Sequence, residues 1–216
     1  MTFSNLKALQ AEIVPQLVTQ FETDFSVKLT EENQSISDSL AKIEKLLFAN
    51  YTSSYVNKLT TTISTGIASP AWVPATSRPT QVRAYVYDTL LQLVYVHTEV
   101  SSTTPSLCPQ ILSHMLEQVS KALLDSFKKR ARFPLPALMQ ATLDVEFIAQ
   151  TLSQYSTDES SQSQSEIYLL LDKGTDAGSR AKLQTELADM RSTLKRLRES
   201  TKSEFACFKK EKISRK

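Results

Sequence analysis

Asp144 and Glu146 stand one residue apart in the stretch ATLDVEFIAQTLSQYST, residues 141–157. Two acids that close are candidates for a general acid–base pair or for half of a metal site. Their spacing decides against both. Successive helical residues turn by about 100°, so the two side chains diverge by about 200° and cannot act on one substrate atom. On the same wheel Leu143, Phe147, Ile148, Leu152 and Tyr155 share an arc of about 180°, with Val145 at its border. Glu146 is expected on the opposite, solvated side, whereas Asp144 falls inside the apolar arc. An acid on an apolar face must be paired, neutralised or placed at an interface. Asp144 is therefore expected to make a structural ion pair or cap contact between helices, with Arg83, Arg130 or Arg132 as partner.

The other reactive side chains are few. His97 lies on a helix among Val82, Val86, Leu90 and Leu93 and reads as a core histidine. His114 falls at the edge of a polar helix side, so no His/Cys/Asp cluster has metal-ligand spacing. Cys108 and Cys207 sit in helical segments far apart in sequence, which argues against a disulfide framework and for a reducing, cytosolic setting. A cysteine hydrolase would need Cys207 to meet His97. In EFACFKK, however, Phe205, Cys207 and Phe208 read as core contacts, with lysines that lower the thiol pKa somewhat. The serines of STDESSQSQSE lack the strand-to-helix elbow that exposes a nucleophile and read as a capped helix start. No catalytic, cofactor or metal residue is assigned.

Charge is unevenly spread. From Arg191 to Lys216 there are ten Lys and Arg against three Glu, a local +7, which leaves −5 for the remainder of a chain whose net charge is +2. The basic segment reads first as a solvated helix face. Its alternative is a contact for anionic lipid or an acidic partner through Arg191, Lys195, Arg196 and Arg198. Nucleic acid is disfavoured, because few aromatics are interleaved with these charges.

These side chains depend on helices for their placement. Only three glycines occur, Gly66, Gly174 and Gly178, which excludes glycine-rich phosphate cradles and argues against a mainly β fold. Residues 2–27 read as a helix kinked or broken at Pro15. A long helix follows from Thr30 to about Thr65, with Ile36, Leu40, Ile43, Leu47, Tyr51 and Val56 as a narrow seam for a partner helix or another chain. Residues 66–81 hold three prolines and read as a linker, with Trp72 pinned against a helix. Further helices are expected at 82–101, 105–132, 135–156, 158–173 and 179–209, with Thr157 as N-cap of the fourth. The last carries Leu187, Met190, Leu194 and Leu197 on one side. Short connections between apolar-striped helices give an all-α, antiparallel bundle. The domain reading is 1–65, N-terminal long helices; 66–81, linker; and 82–216, C-terminal bundle. No stretch reaches the length of a membrane span, and no secretory signal is read at the N-terminus.

Three segments carry a resemblance: VRAYVYDTLLQLVYVHTEVS (82–101), QATLDVEFIAQTLSQYST (140–157) and STKSEFACFKK (200–210). Together they resemble the C-terminal part of the exocyst complex component 2 (Sec-five) family in a fungal-like form, over about residues 70–210. The resemblance implies stacked helical bundles forming a rod. It implies a noncatalytic scaffold role in exocytosis, in which an octameric complex tethers secretory vesicles to the plasma membrane. It further implies other exocyst subunits as partners and a cytoplasmic location, peripheral at sites of secretion. The assembly coiled coil and the small-GTPase-binding domain of family members have no counterpart in these residues, so a GTPase partner is not expected for this segment.

Overall fold

A computed structural model describes residues 3–74, 78–130 and 132–209. Among the described residues the regular structure is helical throughout: α1 (Phe3–Ala8), α2 (Val14–Phe25), α3 (Thr30–Ala68), α4 (Ala84–Thr103), α5 (Cys108–Lys128), α6 (Leu135–Thr151), α7 (Asp158–Lys173) and α8 (Ala177–Ser200). The fold is an all-α bundle. The chain divides into two compact units, Met1–Ser54 and Tyr55–Lys216, and the division falls within α3.

The first unit is a helical hairpin. Pro15 does not break it as expected. A π-helical turn at Leu9–Ile13 joins α1 to α2, with the Val14 N–H reaching back to the Leu9 carbonyl. The widened turn relieves the clash that the proline ring makes with the preceding turn of an α-helix. Ser26, at φ 53°, ends α2 in the left-handed region. The Leu29 N–H then donates to Glu22 Oε1 at 2.8 Å, and Lys7 Nζ meets Glu44 at 2.6 Å, so α1 and α2 run antiparallel to α3. Little of this unit is buried: among its described side chains only Leu6 and Thr52 are.

The second unit is built around α6. Gln92 Nε2 donates to Thr62 Oγ1 at 3.0 Å, which sets α4 antiparallel to the end of α3. Tyr87 packs edge-on to Phe147, 5.7 Å between centroids, and Arg83 meets Asp144, so α4 and α6 run in the same direction. Thr175, before α8, contacts Phe133, before α6, while Arg198 near the end of α8 reaches Gln150 near the end of α6. Sequence neighbours are therefore antiparallel from α3 onward, with α4, α6 and α8 parallel to one another, as short connections require. Trp72, Phe127, Phe133, Phe147, Leu90, Leu93 and Met115 are fully buried between them.

Several element ends differ from expectation for local reasons. Helix α3 continues to Ala68 through Gly66, because a Cβ there would stand 2.4 Å from Tyr85 Cβ, and only glycine allows α4 this close. Helix α6 stops at Thr151, and Tyr155 is buried from a short 3₁₀ turn, Ser153–Tyr155. Helix α8 ends at Ser200 rather than 209. The Ser200 and Thr201 hydroxyls both donate to the Leu197 carbonyl, and the chain folds over so that Phe205 and Phe208 are both buried, 6.4 Å apart. Helix α7 starts as expected, with a capping box: Thr157 Oγ1 accepts from the Ser160 N–H and Ser160 Oγ from the Thr157 N–H.

Candidate functional site

Two places concentrate polar chemistry in the second unit. The first is Asp144, fully buried on α6. Its carboxylate accepts four hydrogen bonds: from the Arg83 backbone N–H at 3.0 Å, Gln140 Nε2 at 2.8 Å, Tyr85 OH at 3.0 Å and Trp72 Nε1 at 3.2 Å. The carboxylate thus ties together α6, the start of α4 and the segment before it. Burial pushes its pKa up to about 6, against the pull of the four donors toward the ionised form. The same desolvation, with the neighbouring carboxylate, holds the Tyr85 phenol well above its ordinary value.

The expected cationic partner is absent. Among the described residues no ion pair forms at Asp144; Arg83 contributes its backbone N–H and turns its guanidinium to the Trp72 carbonyl, Nε to O 2.8 Å. Arg130 lies over the Trp72 ring, 4.5 Å from the centroid, and donates to the Ile67 carbonyl. Burial lowers its pKa. Trp72 is therefore held at its carbonyl, its indole N–H and its ring face, with Phe127 5.7 Å away. Arg132 is exposed.

Glu146 is not solvated as expected. Helix α6 is covered on this side too, by α7, and Glu146 accepts from Tyr168 OH and Gln150 Nε2. It remains apart from Asp144 in partners and surroundings, so the pair forms no joint acid–base site.

Nor, among the described residues, do the other titratable groups form a reactive constellation. His97 Nδ1 lies 3.5 Å from Ser101 Oγ and its ring stands edge-on to Phe208 at 6.1 Å. His114 Nδ1 faces Glu117 at 3.8 Å. Both cysteines are free, Cys108 buried and Cys207 half-buried. Contrary to the expected effect of the nearby lysines, burial pushes the Cys207 thiol up, which disfavours the nucleophilic thiolate. Among the described residues no group of three metal-ligating side chains is brought together, and no helix is long and apolar enough to cross a membrane.

The second place is a cleft of about 720 Å³ between the C-terminal ends of α6 and α8 and the turn that follows. Arg191, Lys195, Arg198, Lys202 and Lys209 line it, with Glu199 as its one acid among the described residues and Leu194, Phe205 and Phe208 among its walls. Of the four cations grouped by sequence, the structure brings Arg191, Lys195 and Arg198 to this cleft. Arg196 diverges: its guanidinium donates to the Thr80 carbonyl at 2.9 Å and lies near Tyr87. Lys202 and Lys209 were missed. The signal for Lys202 was present, since 191, 195, 198 and 202 are spaced by four, three and four along one helical face. The remaining cations of the basic segment, from Lys210 onward, lie outside the described residues.

Comparison with known proteins then assigns the helical bundle. The family model described as "Exocyst complex component Sec5" matches residues 1–208. The chain belongs to that family. The match includes the first 65 residues, where the three resemblance segments do not reach. Among curated proteins the chain is similar to Exocyst complex component 2 of Homo sapiens, 26% identical over 165 residues, and to that of Mus musculus, 25% identical over the same length. Each match covers 76% of this chain but 18% of the relative, so the chain spans a small part of the curated relatives it matches. No solved structure matches.

Proposed function

We propose that this chain is a noncatalytic scaffold portion of the exocyst, acting in vesicle tethering at the plasma membrane by binding helices of other exocyst subunits. The observation that carries the reading is the apolar stripe that runs from the end of the π-helical turn along α2, taken together with family membership. Ile13, Leu17, Phe21 and Phe25 recur every four residues and are all exposed, Leu17 at 61% and Phe25 at 63%. Exposed aliphatic and aromatic side chains in that register suit a second helix laid alongside, as in helix-in-groove and coiled-coil recognition. A peripheral location at sites of secretion follows from such contacts and needs no membrane span.

In this reading Asp144 has an architectural role, fixing the bundle rather than reacting. Nothing in it calls for a cofactor, and the dispersal of His97, His114, Cys108 and Glu146 supports a protein that works by contact.

The test is hydrogen exchange of this chain alone and mixed with the other purified exocyst subunits. Amides of α2 between Ile13 and Phe25 are expected to slow on mixing while α6, already buried, stays unchanged. Unaltered exchange across α2 in a mixture that forms a complex would place the interface elsewhere and remove the stripe from the account.

A further inference from the structure

The cleft between the ends of α6 and α8 carries more positive charge than its own surroundings neutralise. Lys202 Nζ pairs with Glu199 at 2.9 Å. Among the described residues Glu199 is the one carboxylate there, and its pKa is lowered first by the hydrogen bond and charge of Lys202 and further by Lys209 and Lys195. Three lysines therefore converge on a single acid. Arg198 adds a guanidinium held in place by neutral partners, Nη1 to Gln150 Oε1 at 3.0 Å and Nη2 to the Gln150 carbonyl at 3.3 Å. Its charge is positioned, and among the described residues no ion pair compensates it. Among the described residues Arg191, Lys195, Arg198 and Lys209 have no carboxylate within ion-pair distance.

We infer that this cleft binds a compact, multiply phosphorylated anion of the inositol polyphosphate class, either free or as the headgroup of a phosphoinositide. The shape selects the class. Four cations along one face of α8 and the turn after it, with Lys209 from further along that turn, border a concavity of about 720 Å³ that suits a small ligand, whereas a basic stripe with no concavity attracts any extended polyanion. The composition agrees with it. Lysines supply adaptable point charges for phosphate, and arginines a planar fork for two phosphate oxygens. Hydroxyl and amide groups of Thr151, Ser153 and Gln154 line the same cleft and suit the hydroxyls of a sugar-like ring. This inference stands apart from the scaffold reading, because it concerns the other unit and a different chemistry.

The experiment is isothermal titration of the full chain with inositol hexakisphosphate at moderate salt, beside flotation with vesicles. One vesicle set carries phosphatidylinositol bisphosphate, and the other carries phosphatidylserine at matched surface charge. Saturable one-to-one binding of the soluble anion is expected, weakening as salt rises. Lys195→Gln with Arg198→Gln should weaken it by about tenfold or more, since each removes a charge-assisted hydrogen bond. Arg196→Gln, which removes one such charge from the same helix but outside the cleft, should leave it within about twofold. Flotation with bisphosphate vesicles that the soluble anion displaces identifies a lipid headgroup. Soluble binding without flotation identifies a free polyphosphate. Absence of soluble binding, equal flotation with both vesicle sets, or equal losses in the cleft and Arg196 variants would each overturn the inference.

Discussion

Asp144→Ala is expected to lower the unfolding free energy by about 3–5 kcal/mol, the range for breaking a buried charged group out of its network. Four donors lose their acceptor at once: the Arg83 N–H, the Trp72 indole, the Tyr85 hydroxyl and the Gln140 amide. Asp144→Asn should cost less, about 1–3 kcal/mol, because one oxygen still accepts while its new NH₂ faces groups that themselves donate. Denaturant unfolding followed by circular dichroism reads both, as midpoint shifts at constant slope.

The same pair fixes a pH dependence. Burial raises the Asp144 pKa from 3.8 to about 6, so the folded state binds this proton more tightly than the unfolded chain. The resulting stabilisation is fully present below the unfolded value and is lost as pH climbs through about 6; two units correspond to about 3 kcal/mol. Asp144→Asn cannot titrate. The stability gap between wild type and this variant is therefore expected to widen as pH falls from 7 to 4. A gap constant over that range would mean that Asp144 titrates as an ordinary surface carboxyl and is not the buried hub described here.

Trp72→Ala is the second large effect, about 3–5 kcal/mol, from loss of a fully buried aromatic and the cavity it leaves. The indole touches Phe127, lies under Arg130 and donates to Asp144, so its removal loosens the clamp from three sides. Trp72→Phe keeps part of the ring packing but not the N–H, and should fall between wild type and alanine. Because Trp72 and Asp144 share a hydrogen bond, the double alanine variant should cost less than the two singles added. As Trp72 is the only tryptophan, its fluorescence in wild type reports unfolding of the second unit directly. Strict additivity would show that the hydrogen bond between them carries no energy.

How much of this could be read from the sequence depends on the range of the interaction. The helices of the second unit were legible because apolar spacing, prolines and the Thr157 cap are local signals. The position of Asp144 on an apolar arc was legible for the same reason, as was the pinning of Trp72. Its partners were not. A wheel shows that an acid is buried but not that a tryptophan, a tyrosine, a glutamine and a backbone N–H converge on it from other elements. The rule that a buried acid seeks an ion pair or a cap contact points to Arg83, Arg130 or Arg132. Asp144 receives the Arg83 backbone N–H, while the guanidinium of Arg83 serves the Trp72 carbonyl, that of Arg130 the Trp72 ring and the Ile67 carbonyl, and Arg132 is exposed. Glu146 was misplaced because a single-helix wheel assumes one wet side, and α6 has neighbours on both. The end of α8 was overextended because nothing marks it in the pattern; hydroxyl groups at 200 and 201 and the burial of two phenylalanines turn the chain. Arg196 parts from the other three cations of its group because residues 195 and 196 point about 100° apart on a helix, which adjacency in sequence does not show.

The central claim is that these helices serve as an assembly surface of the exocyst. It is tested most directly by affinity capture of the 216-residue chain from cytosol at moderate salt, with Leu17→Asp/Phe21→Asp as the comparison and bound proteins identified by mass spectrometry. Wild type is expected to recover other exocyst subunits, and the variant, with unchanged helicity and unfolding of the second unit, to lose them. Equal recovery by both would contradict the α2 interface. Recovery of no exocyst subunit by the wild-type chain would contradict the scaffold role itself.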